Sequence, residues 1–382
     1  MPPGFQVIVT DLEGPVFANA DGMTLYTWPL ESLRNGDVGD RKDSPSNCTN
    51  KVERVSSGLM SPYPGGLLLP ELDTRPACTD VWPPVLADED AEEVGKWTIM
   101  ERDDGRKQWA YDGYPLYTSV IDDEPGEVFG GTKVDDSGDS PGMRKPAAPT
   151  SNVPPEFEIV PMRYGRMLVE HTGFSVYAWD GDEPNKSNCI GACLNTWAPV
   201  LAPETAQPQG EWTIIERTPG VKQWAFRTKP LYSYRADERT RSLLGSDMPG
   251  WNNVYTQKAP APPSEFTVQE THLGHALADS EGKTIYLYKC ADDALDQLHC
   301  DHPDFPQAYR LTICGGGDAE RCLRTFPPVQ APEGVTVDNK LWSTMYINPL
   351  TGHRAEAGDE GAMHVWTYRD RPVYTFAGDK EP

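Results

Sequence analysis

Two histidines spaced three residues apart are the residues of this chain best suited to hold a transition metal. His299 and His302 flank Asp301 in the segment LHCDHPD. Imidazole nitrogens and carboxylate oxygens are ligands that such metals accept. The competing interpretation is a surface loop whose histidines bind nothing. Neither this pair nor the other close pair, His272 and His275, recurs elsewhere in the chain, so the scaffold does not depend on them.

An acidic loop offers a second candidate cation site. Asp180 and Asp182 follow the tyrosine-rich segment FSVYAW. Hard carboxylate oxygens placed close together can bind Ca²⁺, but this spacing is not that of an EF-hand. A charged hairpin tip explains the loop equally well. No cofactor is therefore predicted, and Ca²⁺ or a transition metal stays an alternative.

The eight cysteines predict disulfides. Cys189 and Cys193 stand before the segment NTWAPV, and Cys48 and Cys78 precede the similar TDVWPPV although residues 49–77 separate them. A disulfide that staples the base of an insertion explains why both cysteines are present. No CxxC zinc spacing occurs. For the last four cysteines three pairings are open, of which we favour the nested one. The predicted disulfides are Cys48–Cys78, Cys189–Cys193, Cys290–Cys322 and Cys300–Cys314.

No catalytic residues are predicted. The chain contains no GxSxG, HExxH, P-loop or GxGxxG motif, and no nucleophile stands beside a recognisable base. We therefore do not expect an enzyme. The formal net charge of −24 disfavours nucleic acid and anionic lipid as partners.

The compartment follows from the cysteines. Disulfides persist in oxidising surroundings, which predicts an extracellular or periplasmic location. No apolar run is long enough to span a membrane. The opening residues MPPGFQVIVT have neither the basic region nor the apolar stretch of a signal peptide, so we expect none in this sequence.

The same aromatic pattern recurs three times along the chain. In each copy a tryptophan precedes a proline by six residues and a tyrosine by eight. Pro-rich joints separate the copies, which predicts units at 1–145, 153–257 and 263–382. The recurring residues are the strand aromatics Tyr26, Tyr177, Trp179 and Tyr286, the tryptophans Trp109, Trp224 and Trp366, and the tyrosines Tyr117, Tyr232 and Tyr374.

These units predict an all-β protein of three tandem repeats. Short alternating segments bounded by Gly, Pro and Asp turns are typical of hairpins. Each unit divides into two halves that read as three-stranded antiparallel meanders, which would pack as a small sandwich or barrel. A six-bladed propeller is the alternative closure. The repeated aromatic residues are interpreted as structural, and exposed sugar-binding rows are the competing interpretation.

The motif residues resemble a known family. Tyr177-x-Trp179-x-x-Asp182 and Tyr374-x-Phe376-x-x-Asp379 match the Yx(F/W/Y)xxD pattern of the secreted repeat of unknown function, also described as predicted lipoproteins. The Cys-x-Gly-x-Cys segment at 189–193 is similar to that family too. The resemblance implies export and supplies no activity. We expect this chain to depart from the family in lacking a lipobox, in the insertion at 49–77, and in a last motif that is cut off at Pro382.

The resulting hypothesis is an exported, non-catalytic repeat protein with a structural or protein-partner-binding role, in a larger extracellular assembly. The insertion at 49–77 is the predicted contact loop. The alternatives are a metal-binding or redox and electron-transfer accessory protein and a carbohydrate-binding module. The predicted contact residues are Tyr63, Leu67, Leu68 and Leu69.

Overall fold

A computed structural model of the chain describes two compact units. Among the described residues, the second unit comprises Thr150–Ala259, and the first combines the segments up to Pro149 with Pro260–Pro382. The residues described are 1–11, 13–27, 48, 50, 77–130, 145–150, 152–162, 164–271, 274–287, 319–337, 339–350 and 354–380.

The N-terminal part of the first unit is a hairpin and a five-stranded sheet. β1 pairs with β2, and the sheet has the order β4-β5-β6-β3-β7. A short helix, α1 (Cys78–Val81), precedes β4. The strands are β1 (Phe5–Thr10), β2 (Gly14–Asn19), β3 (Tyr26–Thr27), β4 (Trp97–Glu101), β5 (Lys107–Tyr111), β6 (Tyr114–Tyr117) and β7 (Lys145–Pro146).

The second unit contains three antiparallel sheets, of order β17-β9-β8, β12-β13-β14 and β11-β15-β10-β16. Two 3₁₀ turns, Gly191–Asn195 and Leu244–Asp247, join its strands. The strands are β8 (Phe157–Met162), β9 (Gly165–Glu170), β10 (Tyr177–Trp179), β11 (Trp197–Pro199), β12 (Trp212–Thr218), β13 (Val221–Phe226), β14 (Lys229–Pro230), β15 (Tyr232–Tyr234), β16 (Trp251–Asn253) and β17 (Tyr255–Lys258).

The C-terminal part of the first unit again holds a hairpin, β18 with β19, and a five-stranded sheet of order β20-β24-β23-β21-β22. Helix α2 (Ala319–Thr325) lies between β20 and β21. The strands are β18 (Phe266–Thr271), β19 (Gly274–Asp279), β20 (Ile285–Leu287), β21 (Trp342–Ile347), β22 (Arg354–Ala355), β23 (Met363–Tyr368) and β24 (Arg371–Thr375). The predicted all-β class is confirmed, and the described strands form several small sheets without a closed barrel.

The expected meanders differ from the observed sheets in their third strand. After the β8–β9 hairpin, only an isolated bridge between Val169 and Ser175 continues the first meander. The chain then turns away, and β10 pairs with β15, which belongs to the other half. The paired tyrosine strands thereby join the two halves of the unit. Corresponding strands meet in the first unit, where β3 pairs with β6 and β20 with β24.

Aromatic packing forms the cores and spans the two halves. Phe157 opens β8, and its ring lies 4.6 Å from that of Trp212, which opens β12. Phe5 packs on Trp97 at 4.7 Å in the same way. Burying rings of this size supplies much of the apolar area that a small β unit needs. Trp109, Trp224 and Trp366 are all buried, as their structural interpretation predicts.

Candidate functional site: the crossed tyrosine–aspartate pairs

The motif tyrosines and aspartates of the second unit bind each other across the two halves. Tyr177 on β10 donates its hydroxyl to Oδ2 of Asp237 at 2.9 Å, and Tyr232 on β15 donates to Oδ2 of Asp182 at 2.7 Å. Asp182 stands five residues after Tyr177, and Asp237 stands five residues after Tyr232, so each tyrosine bonds to the aspartate that follows the other tyrosine. The two strands are antiparallel, with Tyr177 opposite Tyr232. The acidic turn that follows each strand therefore lies beside the tyrosine of the neighbouring strand, which causes the crossing.

Among the residues that the structure describes, the N-terminal and C-terminal parts of the first unit each show a pair of the same kind. Tyr26 donates to Oδ2 of Asp122 at 2.6 Å, and Tyr286 donates to Oδ2 of Asp379 at 3.0 Å. Sequence reasoning missed Asp122 as a motif residue because Ser119 replaces the aromatic ring between Tyr117 and Asp122. The five-residue interval from tyrosine to aspartate was the signal that remained.

Burial sets the proton affinity of these pairs. Desolvation raises the pKa of the Asp122 carboxyl to about 7, although Tyr26 and the backbone N–H groups of Phe129 and Gly130 favour its ionised form. Desolvation likewise raises the pKa of Asp182 and of Asp237. The pKa of the Tyr177 hydroxyl is raised by burial and by the carboxylate of Asp237. The tyrosines are therefore neutral donors, and the pairs can hold protons.

The aromatic residue of the motif is enclosed on both faces. A Cβ on Gly181 would lie 2.5 Å from Cζ2 of Trp179, so only glycine fits against this side of the indole. The other side stacks on Trp251, with ring centroids 5.5 Å apart and planes 10° apart. Gly378 approaches the Phe376 ring in the same way. An indole enclosed like this does not offer the open platform that a sugar ring needs.

An arginine in each of two units holds a cysteine-bearing segment. Arg217 donates through Nη2 to the carbonyl of Cys189 at 2.5 Å, and through Nη1 to Gln223 at 2.7 Å. Arg102 makes the equivalent bonds to the carbonyl of Cys48 at 2.5 Å and to Gln108 at 2.6 Å. The matching contacts place Cys48 where the second unit has Cys189, despite the insertion after it.

One disulfide is described in full. It links Cys189 and Cys193, whose Cα atoms lie 5.3 Å apart, a distance that suits the bond. Cys48 and Cys322 are also disulfide-bonded. Their predicted partners are not described at the side-chain level, since the side chain of Cys78 and the whole of Cys290 lie outside the described residues. The predicted pair Cys300–Cys314 lies there as well.

The proposed acidic cation site is already occupied by internal bonds. Asp180 accepts from Lys229 Nζ and from Asn252 Nδ2, both at 3.1 Å. Asp182 accepts from Tyr232 and from the backbone of Asn188. Within the described ranges, no group of three or more His, Cys, Asp or Glu side chains is placed to hold a metal. His299, Asp301 and His302 lie outside those ranges, as do Tyr63, Leu67, Leu68 and Leu69.

Comparison with known families bears on two stretches of this architecture. One covers residues 98–133, from β4 past β6 of the first unit. The other covers 159–201, from β8 to β11 of the second unit, and includes the disulfide and its motif. Both stretches match the family model of the secreted repeat of unknown function. No curated protein and no solved structure matches the chain.

The secreted-repeat match supports an extracellular location, since the family is described by its secretion. In the part of the chain that the structure describes, no helix is long and apolar enough to cross a membrane.

Proposed function

We propose that this chain is an exported, non-catalytic repeat protein that binds a protein partner through the segments in which its units differ. The crossed pairs carry this proposal. The motif tyrosines and aspartates bond to each other inside the units, and Arg102 and Arg217 bond to cysteine carbonyls and glutamine side chains, so these groups stabilise the scaffold. General acid–base catalysis requires titratable side chains that face a bound substrate, whereas these tyrosines and aspartates face one another.

The charge of the chain indicates what kind of partner fits. With a formal net charge of −24, the surface attracts proteins that present basic faces. Complementary charge mainly speeds encounter and sets specificity, and apolar anchors at the centre of a contact supply most of the affinity. The segment 49–77 combines Tyr63 with three consecutive leucines and so offers such anchors.

The described ends of that segment contact the rest of the first unit. Cys48 is fully buried and its carbonyl accepts from Arg102. After the segment, Val81 and Trp82 are also fully buried, and Trp82 packs on Tyr26 with ring centroids 5.3 Å apart. These contacts are the reason to expect that the first unit folds without the residues between.

The test is deletion of residues 52–75 from the full chain. We expect an unchanged circular dichroism spectrum and a melting temperature within a few degrees of the parent, because both ends stay anchored. Chemical crosslinking with mass spectrometry on exported proteins of the native host should recover a basic partner with the parent chain and lose it with the deletion. Capture should also weaken as salt rises.

Ile190→Ser serves as the matched control, because it removes an apolar side chain that is 70% exposed in the second unit. The control should capture the partner as the parent does. Undiminished capture by the deletion variant, or its failure to fold, would contradict the proposal.

A further inference from the structure

We propose that the Cys189–Cys193 disulfide is a thiol–disulfide exchange site, attacked at Cys193 by an external dithiol. The inference does not rest on the proposed partner binding, since it concerns the second unit alone. It is based on the unequal exposure of the two cysteines and on an arginine and backbone hydrogen bonds that hold both cysteines in place.

The two cysteines differ in accessibility. Cys189 is fully buried and packs in one cluster with Trp197 and Trp251. Cys193 is half-buried at the edge of that cluster. The ring between them faces solvent, with Ile190 70% exposed. Exchange requires an attacking thiolate to reach one sulfur, so attack is directed to Cys193.

An arginine holds the backbone of the cysteine whose sulfur would leave. Arg217 donates to the carbonyl of Cys189 at 2.5 Å, and it also contacts Ser187 and Gln223, which fix the guanidinium. The contact keeps the Cys189 backbone in place while its sulfur is released from Cys193. Arg217 is therefore a positioning residue for the exchange.

Hydrogen bonds hold the ring independently of the sulfur–sulfur bond. The N–H of Cys193 donates to the carbonyl of Ile190 at 3.3 Å, and the N–H of Thr196 donates to the carbonyl of Cys193 at 3.1 Å. The N–H of Asn188 donates to Asp182 at 2.7 Å. With these bonds and the Arg217 contact intact, the reduced cysteines stay neighbours and the disulfide can form again.

The exchange balances as a two-electron transfer. A thiolate of the external dithiol bonds to Sγ of Cys193, the disulfide breaks, and its electron pair leaves on Sγ of Cys189. The second thiol of the dithiol loses its proton and attacks the mixed disulfide. This forms the dithiol's own disulfide and releases Cys193 as a thiolate. Two protons from the dithiol neutralise the thiolates, so the cysteines are reduced and the dithiol is oxidised.

The first test compares disulfides within the native full chain. The protein is treated with dithiothreitol, quenched with N-ethylmaleimide at intervals and analysed by peptide mass spectrometry. We expect Cys193, which is half-buried, to become labelled at least tenfold faster than Cys48, which is fully buried. Treatment with glutathione alone should place the adduct on Cys193. Equal labelling rates, or an adduct on Cys189, would overturn the proposal.

The second test addresses Arg217. In reduced protein, the rate at which the disulfide forms again after dithiothreitol is removed reports how closely the two cysteines are held. Arg217→Gln should slow this re-formation several-fold, whereas Arg217→Lys should retain most of the rate. Arg102→Gln, the matched change beside Cys48, should leave the rate as in the parent. If Arg217→Gln does not fold, the Arg217→Lys variant and the glutathione mapping test the proposal instead. Glutathione adducts without preference for Cys193 would reject the exchange site.

Discussion

At the residue scale, the tyrosine and aspartate of one motif bind different halves of a unit. The hydroxyl of Tyr177 reaches Asp237, the carbonyl of Ser242 at 2.9 Å and the backbone N–H of Gly245. The tyrosine and the aspartate of one motif, which look like a single local feature in the sequence, therefore take part in two different long-range hydrogen bonds. Tyr286 makes the same type of bond to Asp379 while 38% exposed, so water competes for it.

The difference in burial predicts unequal contributions to stability. Tyr177→Phe removes the donor and leaves the partly buried carboxylate of Asp237 without it, which costs about 1–3 kcal/mol. Tyr286→Phe deletes the equivalent bond at an exposed position and should cost under about 1 kcal/mol. Urea unfolding of the full chain, followed by far-UV circular dichroism, measures the loss of unfolding free energy in both variants. Equal losses would mean that burial does not govern the pairs.

At the element scale, three hairpin turns share one backbone form. The turns between β5 and β6, between β13 and β14, and between β23 and β24 all have two consecutive residues with positive φ. This is the type I′ turn, whose twist matches that of the flanking strands. The residues are Asp112 and Gly113, Arg227 and Thr228, and Arg369 and Asp370.

The second of these turns carries an unfavourable residue. Thr228 is β-branched and has φ of 66°, a region that costs such a side chain about 1–2 kcal/mol. Thr228→Gly should therefore stabilise the second unit by about 1 kcal/mol, since the bond from Asn185 N to its carbonyl involves only backbone. Thermal unfolding measures the gain. The reverse change in the first unit, Gly113→Thr, should destabilise, and a stabilising result there would contradict the turn assignment.

The Cys189–Cys193 ring is also an element-scale feature. In the chain-entropy model, a ring of five residues stabilises by only about 2 kcal/mol, less than a long loop does. The modest stabilisation agrees with the proposed exchange role, because reduction need not unfold the unit.

At the scale of the whole molecule, polar contacts tie the N-terminal and C-terminal parts of the first unit. Arg369 donates to Glu13 at 2.9 Å and to the carbonyl of Val128 at 3.3 Å. The backbone N–H of Lys340 donates to Asp11 at 2.6 Å. Two of these bonds join residues more than three hundred positions apart, and the Tyr26–Asp122 pair lies close enough to Arg369 for its charge to act on Tyr26.

This network predicts that the first unit loses stability as pH rises through the acidic range. The pKa of Asp122 is raised from 3.8 to about 7, so the folded state binds a proton that the unfolded state has released between these values. Stability therefore falls from about pH 4 to about pH 7 and is level above that. Asp370, whose pKa burial raises to about 6, acts in the same direction.

Melting temperatures between pH 4.5 and pH 8 measure this dependence. Asp122→Asn removes the titrating carboxyl, while its amide oxygen can still accept from the backbone N–H groups of Phe129 and Gly130 and its amide nitrogen can donate to the Tyr26 hydroxyl. It should flatten the curve in part, with Asp370 accounting for the remainder. Asp103→Asn, at an exposed carboxyl of the same unit, should leave the slope as in the parent. A slope that Asp122→Asn leaves unchanged would assign the titration to another group.

The sequence alone was enough for the local features. Alternation, turn residues and aromatic spacing predicted the all-β class because each is set by neighbouring residues along one strand. The Cys189–Cys193 pairing followed from the matching cysteine positions in two units, since a disulfide explains why both cysteines flank the insertion at 49–77. The five-residue interval between tyrosine and aspartate was also readable, although Ser119 concealed one instance.

Only the tertiary structure decided which groups meet. Tyr232 and Asp182 are 50 positions apart and Tyr26 and Asp122 are 96 apart, so their pairing depends on strand register and packing. The same holds for the third strand, which leaves its predicted meander because pairing with the other half buries the tyrosines of both. Composition and spacing carry no information on which distant strand supplies a partner, since that choice is made by the free energy of the whole assembled core.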